Sequence, residues 1–431
     1  METKEEQMMS KRNMKLFSTY KKLATDYLFY YTVDFLFLTQ IKHLSPADVV
    51  LASSLKALFG MFLQIPANVI IEFLGRRNSI IFANILNCIY MVMFMMTRNI
   101  YDLVFAKFVS SLAWAIKDVA EPSLLNASIP KSKYKSSIFA KIYAKGVSGY
   151  FIIGAISRMI AGFLFEINGY LPVICSLVVL ALVTLISICY IEPIKKEKTK
   201  ISISNQFKDI GDGFKFVIKS ERLKALILSA ALIAALLNIL TDYQTSLFND
   251  LKLPAYLIGV LTAAISLSSA YASKKQESFH NKFNNKSIVV MALMASICTF
   301  LVGVLGTNAA NYTVLIIIIV LLFLVIRFSH GMYYAIMDRY IRNFTNKNID
   351  TKIFAVKNLF VDIITAIVGI MASFLLDKMP TSYCMIIIGA SFTLMYLLMY
   401  KYMKPKVGLK PEEYSTEERK YDELKDFENA K

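Results

Sequence analysis

Long, nearly unbroken apolar runs restrict the folds open to this chain more than any other feature. Residues 314–326 read VLIIIIVLLFLVI. A helix needs about 20 mainly apolar residues to cross a bilayer. Twelve segments meet that length: 22–41, 47–70, 79–97, 101–125, 138–165, 170–191, 223–248, 255–273, 287–306, 312–337, 354–376 and 380–400, of which the first and fifth carry internal charges. A membrane β-barrel would show alternating segments of about ten residues instead. Of the 431 residues, 56% are hydrophobic and 18% charged, against about 45–50% and about 25% in soluble proteins. The expected class is an all-α integral membrane protein with 12 transmembrane helices.

The net charge of +17 has to be read by position. Lys and Arg fall in short clusters between apolar runs, which is a topology signal rather than a nucleic-acid patch. With the N-terminus in the cytoplasm, the outer loops hold only Lys42, Arg98, Lys252 and Lys378. Both termini are therefore expected in the cytoplasm, with an even number of spans between them. The polar start, METKEEQMMSKRNMK, lacks a compact apolar core followed by a small-residue cleavage site, so the first span is expected to act as an uncleaved insertion signal. Five cysteines lie in apolar stretches without a CxxC pair, and there are three histidines. No metal site, disulfide framework or cofactor is expected.

The longest internal polar segment, 192–222, splits the spans six and six. Apolar Phe207, Ile210, Phe214, Val217 and Ile218 recur there at helical spacing, which predicts a surface-lying amphipathic helix. The expected organisation is a cytoplasmic segment 1–21, a six-helix bundle 22–191, the linker 192–222, a second bundle 223–400 and a cytoplasmic tail 401–431. The bundles are related by a repeat. An offset of 208 pairs Asp34 with Asp242, Pro46-Ala47 with Pro254-Ala255 and Ser79-Ile80 with Ser287-Ile288. Repeated halves around a midplane site are a common transporter construction.

Charges inside spans are costly against lipid, about 2.5–3.5 kcal/mol each on insertion scales, so they mark helices that face an interior. Helices 3, 6, 9 and 12 have none and hold all five cysteines, which assigns them to the periphery. Reflection about the connecting loops places Asp34 near Lys56, Asp118 near Lys145, Glu121 near Lys141, and His330 near Asp362 with Arg327 one turn away. Lys107 and Arg158 are left without an acid in the first half. That points to an anionic or carboxylate-bearing solute, Asp242 being the alternative partner. Lys107, Arg158, Asp34, Lys56 and Asp242 are the candidate substrate-binding residues. Asp362, His330 and Arg327 are the candidates for proton coupling, because a carboxylate in such a setting changes its proton affinity as its surroundings open and close.

The loop NVIIEFLGRRNSII (68–81) places Glu72, Gly75, Arg76 and Arg77 as an acid followed by glycine and two bases. This resembles the signature loop of the major facilitator superfamily, with Asn68 standing where a glycine is usual and Phe73 where a base is usual. Lys107 stands where many members carry Arg. GVSGYFIIGAISRMIAGF in the fifth span is glycine-spaced like theirs but lacks the Gly-Pro of drug antiporters. The resemblance implies two bundles that rock around a central site between helices 1, 4, 7 and 10, with the loop and Glu121 forming a cytoplasmic gate. It also implies a secondary transporter, expected here to be monomeric, to sit in the lipid bilayer, to use protons as coupling ion and to move a small organic, anionic or amphiphilic solute. A drug–proton antiporter is the close alternative, and a non-transporting receptor or assembly partner on the same fold is a second. No nucleophile–base or metal cluster marks an enzyme.

Overall fold

A computed structural model of the chain describes residues 4–130, 134–192, 203–343 and 350–407. Among the described residues there are helices and no strands. Ten helices are long and apolar enough to cross a membrane. They are α3 (Pro46–Leu74), α4 (Arg76–Met96), α6 (Lys135–Ile167), α7 (Leu171–Ile188), α9 (Glu221–Asp250), α10 (Ala255–Phe283), α11 (Ser287–Gly306), α12 (Thr313–Asn343), α13 (Asp350–Lys378) and α14 (Thr381–Met403).

The first and fourth expected spans are not among the ten, and the reason is local. The fourth is α5 (Ile100–Ser128), which carries Asp102, Lys107, Lys117, Asp118 and Glu121. The first is interrupted. Helix α1 runs from Lys4 to Ala24 and stops. Residues 25–33 are non-helical. Helix resumes as α2 (Asp34–Leu36) and passes into a π-type turn, Phe37–Ile41. The segment expected as a cytoplasmic lead-in is thus helical and packed, with Asn13, Phe17 and Tyr20 almost fully buried. The linker helix exists as α8 (Ile203–Lys219), and its Phe214 ring stacks on Phe360 with centroids 5.9 Å apart. The tail from 408 onward lies outside the described residues.

Two compact units emerge. One comprises Met1–Leu44, Leu55–Ile203 and Pro254–Ala263; the other comprises Ser45–Ser54, Ser204–Leu253 and Ala264–Lys431. The repeat is visible in the elements: α3 and α10 are each 29 residues long and begin at the repeated Pro-Ala. Within the first unit, α4 exposes a row of Ile85, Ile89, Val92 and Met96, and α7 exposes Ile174, Val178, Leu182 and Leu185. In the second unit α11 and α14 pack at backbone contact. A Cβ on Gly389 would meet the Phe300 nitrogen at 2.3 Å, and one on Gly303 the Ile386 nitrogen at 2.5 Å. Small residues at such crossings let helices approach where lipid offers no hydrophobic drive.

Candidate functional site

The interruption in the first span organises the interior of the first unit. Residues 25–33 read TDYLFYYTV, rich in aromatic, β-branched and Asp/Thr residues that hold helices poorly. The repeat-related stretch 233–241, IAALLNILT, sits inside the unbroken α9. Backbone groups freed inside a membrane must find partners, and here side chains supply them. Lys117 Nζ donates to the Ala24 carbonyl at 2.8 Å. Ser176 Oγ donates to the Leu28 carbonyl at 2.6 Å. Phe29 takes a φ of 64°, which a bulky side chain adopts only when its surroundings impose it.

The opened segment directs its side chains into two neighbouring charge clusters. In the first, Asp26 Oδ1 accepts its neighbour's Tyr27 N–H at 3.0 Å, and Oδ2 accepts the Tyr150 hydroxyl at 3.0 Å. Arg158 Nη2 donates to that same hydroxyl at 3.0 Å. In the second, Asp34 feels the charges of Lys107 and Lys56. Lys107, 5% exposed, donates to the Tyr30 hydroxyl at 3.3 Å, and Tyr30 shares a hydrogen bond with Tyr90. Between the clusters stands an aromatic group. The Tyr27 hydroxyl donates to Asn87 at 2.6 Å and accepts from Trp114 Nε1 at 3.0 Å, and the rings of Tyr30 and Tyr31 meet edge-on at 5.1 Å.

Asp34 forms no ion pair with Lys56 within 4.0 Å, and Lys107 acts on it more strongly than Lys56 does. The expectation that Lys107 and Arg158 have no acid in the first half does not hold, because Asp26 reaches Arg158 through Tyr150. Its signal is in the sequence: an Asp among seven aromatic or β-branched residues in a stretch too weak to continue a helix.

Further along α5, Glu121, 1% exposed, pairs with Lys21 at 2.6 Å and Lys117 at 3.6 Å and accepts the Tyr20 hydroxyl at 2.8 Å. Lys141, the expected partner, is exposed, as is Lys145. The partner comes from α1 rather than α6, because α1 (Lys4–Ala24) runs helical N-terminal to the apolar part of the first span and brings Lys21 against α5. In the signature loop, Gly75 has a φ of 82° and precedes α4. The acid at the α4 N-terminus is Glu192, whose carboxylate accepts the Arg76 N–H at 3.0 Å and the Arg77 N–H at 2.6 Å, where the helix dipole favours it. Arg76 Nε donates to Ser123, Arg77 Nη2 to the Ile188 carbonyl, and Glu72 is exposed.

In the second unit His330 Nδ1 lies 3.3 Å from Ser269 Oγ, and Arg327 Nη2 donates to Thr241 Oγ1 at 2.9 Å. Asp242, half-buried, follows Thr241 on α9. Lys357 pairs with Asp338 at 2.6 Å. Asp362 is half-buried on α13 and has no hydrogen bond or ion pair among the described residues, so the expected pairing with His330 is not formed there. Among the described residues no group of three or more His, Cys, Asp or Glu side chains is placed to hold a metal ion.

The model of the Major Facilitator Superfamily matches residues 23–347. No curated protein matches the chain by sequence. Solved structures with the same fold include the nucleoside transporter NupG, at 12% identity and TM-score 0.70, covering 92% of this chain and 99% of that one. A POT family transporter in complex with 5-aminolevulinic acid aligns at 12% identity and TM-score 0.65, covering 92% and 95%. A bacterial homolog of the human lysosomal transporter Spinster aligns at 14% identity and TM-score 0.65, covering 94% and 99%.

Proposed function

This chain belongs to the major facilitator superfamily, and from that membership we propose that it is a secondary active transporter of a small organic solute bearing an acidic group, working by alternating access and driven by protons. The observation that carries the reading is the interior of the first unit. Three cations (Lys56, Lys107, Arg158) and two acids (Asp26, Asp34) cluster at a non-helical stretch, and among the described residues Lys107 and Arg158 have tyrosine hydroxyls as the hydrogen-bond acceptors of their charged ends. Non-helical backbone at membrane depth is a recurrent feature of transporter binding sites. The excess of one positive charge favours a solute that brings a negative one.

Asp362 supports the coupling part of the proposal. It has no hydrogen bond or ion pair among the described residues, an intramembrane carboxylate marks a pathway for ions or protons by default, and exposure to one face then the other would load and release a proton. The twelve-span arrangement, a monomeric state and cytoplasmic termini belong to the same reading.

The first test is a thermal-stability screen of the purified chain with organic anions, sugars, amino acids and lipophilic cations, since a ligand at 100 times its Kd stabilises by about 2.7 kcal/mol. Carboxylate-bearing solutes are expected to raise the Tm, and Arg158→Gln and Lys107→Gln to abolish that rise while expression persists. Stabilisation by lipophilic cations instead would favour drug export. Flux in reconstituted vesicles separates a transporter from a receptor, which binds without moving solute. Asp362→Asn is expected to abolish proton-driven accumulation and spare exchange; unchanged dependence on the proton gradient would remove it from coupling.

A further inference from the structure

Asp26 and Arg158 are opposite charges that lie close together yet form no ion pair within 4.0 Å. A single tyrosine hydroxyl stands between them, donating to one and accepting from the other, each at 3.0 Å. The carboxylate oxygen and the guanidinium nitrogen are therefore no more than about 6 Å apart, the sum of two hydrogen bonds. Tyr150 is 6% exposed, whereas Asp26 and Arg158 are half-buried and reach accessible space. Gly154, one turn from both Tyr150 and Arg158 on α6, keeps the face between them clear: a Cβ there would sit 3.2 Å from the Tyr150 ring and 3.3 Å from Arg158 Nη1. Of the Asp26 oxygens, Oδ1 is held by the Tyr27 N–H and Oδ2 by Tyr150, with the Tyr31 hydroxyl also hydrogen-bonded to the carboxylate.

We propose that this split pair recognises a zwitterion, with the ammonium of the solute on Asp26 and its carboxylate on Arg158, the Tyr150 hydroxyl giving up both contacts. The inference rests on the reading of this interior as the solute site and narrows its substrate class. The spacing sets the class. Two charge-assisted hydrogen bonds of about 2.8 Å each already span nearly all of a gap of at most about 6 Å, so the two bonds must run side by side at an angle, which favours an amine and a carboxylate carried on one carbon over any longer spacing. A plain carboxylate would satisfy Arg158 and leave Asp26 with only neutral donors. A zwitterion replaces one neutral hydroxyl with a partner of correct sign for each charge. Tyr27 and Tyr31, whose rings lie 6.2 Å apart beside Asp26, offer an apolar wall for a side chain.

The test compares phenylalanine, N-acetylphenylalanine, phenylalanine amide and 5-aminopentanoate on the purified full chain, reading the shift in Tm and the apparent Kd. Phenylalanine is expected to stabilise, with each blocked form and the longer-spaced amino acid at least tenfold weaker. In Asp26→Asn the free and N-acetylated forms are expected to converge. Tyr150→Phe, which removes the competing hydroxyl and keeps the ring, is expected to bind phenylalanine at least as tightly as the unaltered chain. If N-acetylphenylalanine stabilises as well as phenylalanine, the zwitterion inference is overturned and the anionic-solute reading stands. If sugars or lipophilic cations alone stabilise, and do so independently of Arg158, both fall together.

Discussion

At the scale of single residues, the buried carboxylate of Glu121 is the most exacting contact in the first unit. Its two lysine partners have side chains 10% and 2% exposed. Removing one member of a buried ionic group leaves the rest uncompensated and costs about 3–5 kcal/mol. Glu121→Leu is expected to lower stability by that order in detergent unfolding, and the double variant Glu121→Leu/Lys21→Met to recover part of the loss. Gly75 is constrained differently. Its φ of 82° and ψ of 171° lie where L side chains are strained, and a Cβ would stand 3.2 Å from Glu192 Oε1. Gly75→Ala is expected to cost about 1–3 kcal/mol, seen as a lower Tm with unchanged solute affinity. Sequence pattern showed the glycine and the two arginines that follow it. It did not show that Glu192, 117 positions away from Gly75 in the chain, caps the helix, because capping across a fold has no sequence period.

Among the elements, the broken first span differs most from what hydropathy suggests. A window of apolar residues predicts one continuous helix over 22–41, and hydropathy does not distinguish a helix from an unwound stretch whose backbone is bonded by neighbours. Propensity does: TDYLFYYTV is a poor helix former beside IAALLNILT in the other repeat. The break persists because Lys117 and Ser176 donate hydrogen bonds to its freed carbonyls. Ser176→Ala removes the donor to the Leu28 carbonyl and is expected to destabilise by about 1–3 kcal/mol. Hydrogen exchange should localise the loosening to 25–33; a uniform loss across the first unit would mean Ser176 acts only through packing. The α11–α14 crossing makes a matching case for tight packing. Gly389→Leu would drive a side chain into the Phe300 backbone and is expected to prevent recovery of folded protein, whereas a leucine at Gly60, where nothing lies within 4 Å of a Cβ, should be tolerated.

For the molecule as a whole, the bias of Lys and Arg predicts its orientation. In a cysteine-free background, a cysteine at Arg98 is expected to react with an impermeant maleimide from outside intact cells, and one at Lys282 only after permeabilisation. Reaction of both from outside would overturn cytoplasmic termini. The sequence by itself determined the class, the helical membrane fold and the repeat, because hydropathy, length and a fixed 208-residue offset are properties of the chain read in one dimension. It also isolated Lys107, Arg158, Asp34 and Lys56, since charges in apolar runs are conspicuous. Partnership was decided only by the tertiary structure. Asp26 meets Arg158 through Tyr150, Glu121 meets Lys21 rather than Lys141, and Glu192 rather than Glu72 meets the arginine loop. Each of these depends on helix rotation and on where an element ends, and a buried polar group takes whichever partner that geometry brings within about 3 Å.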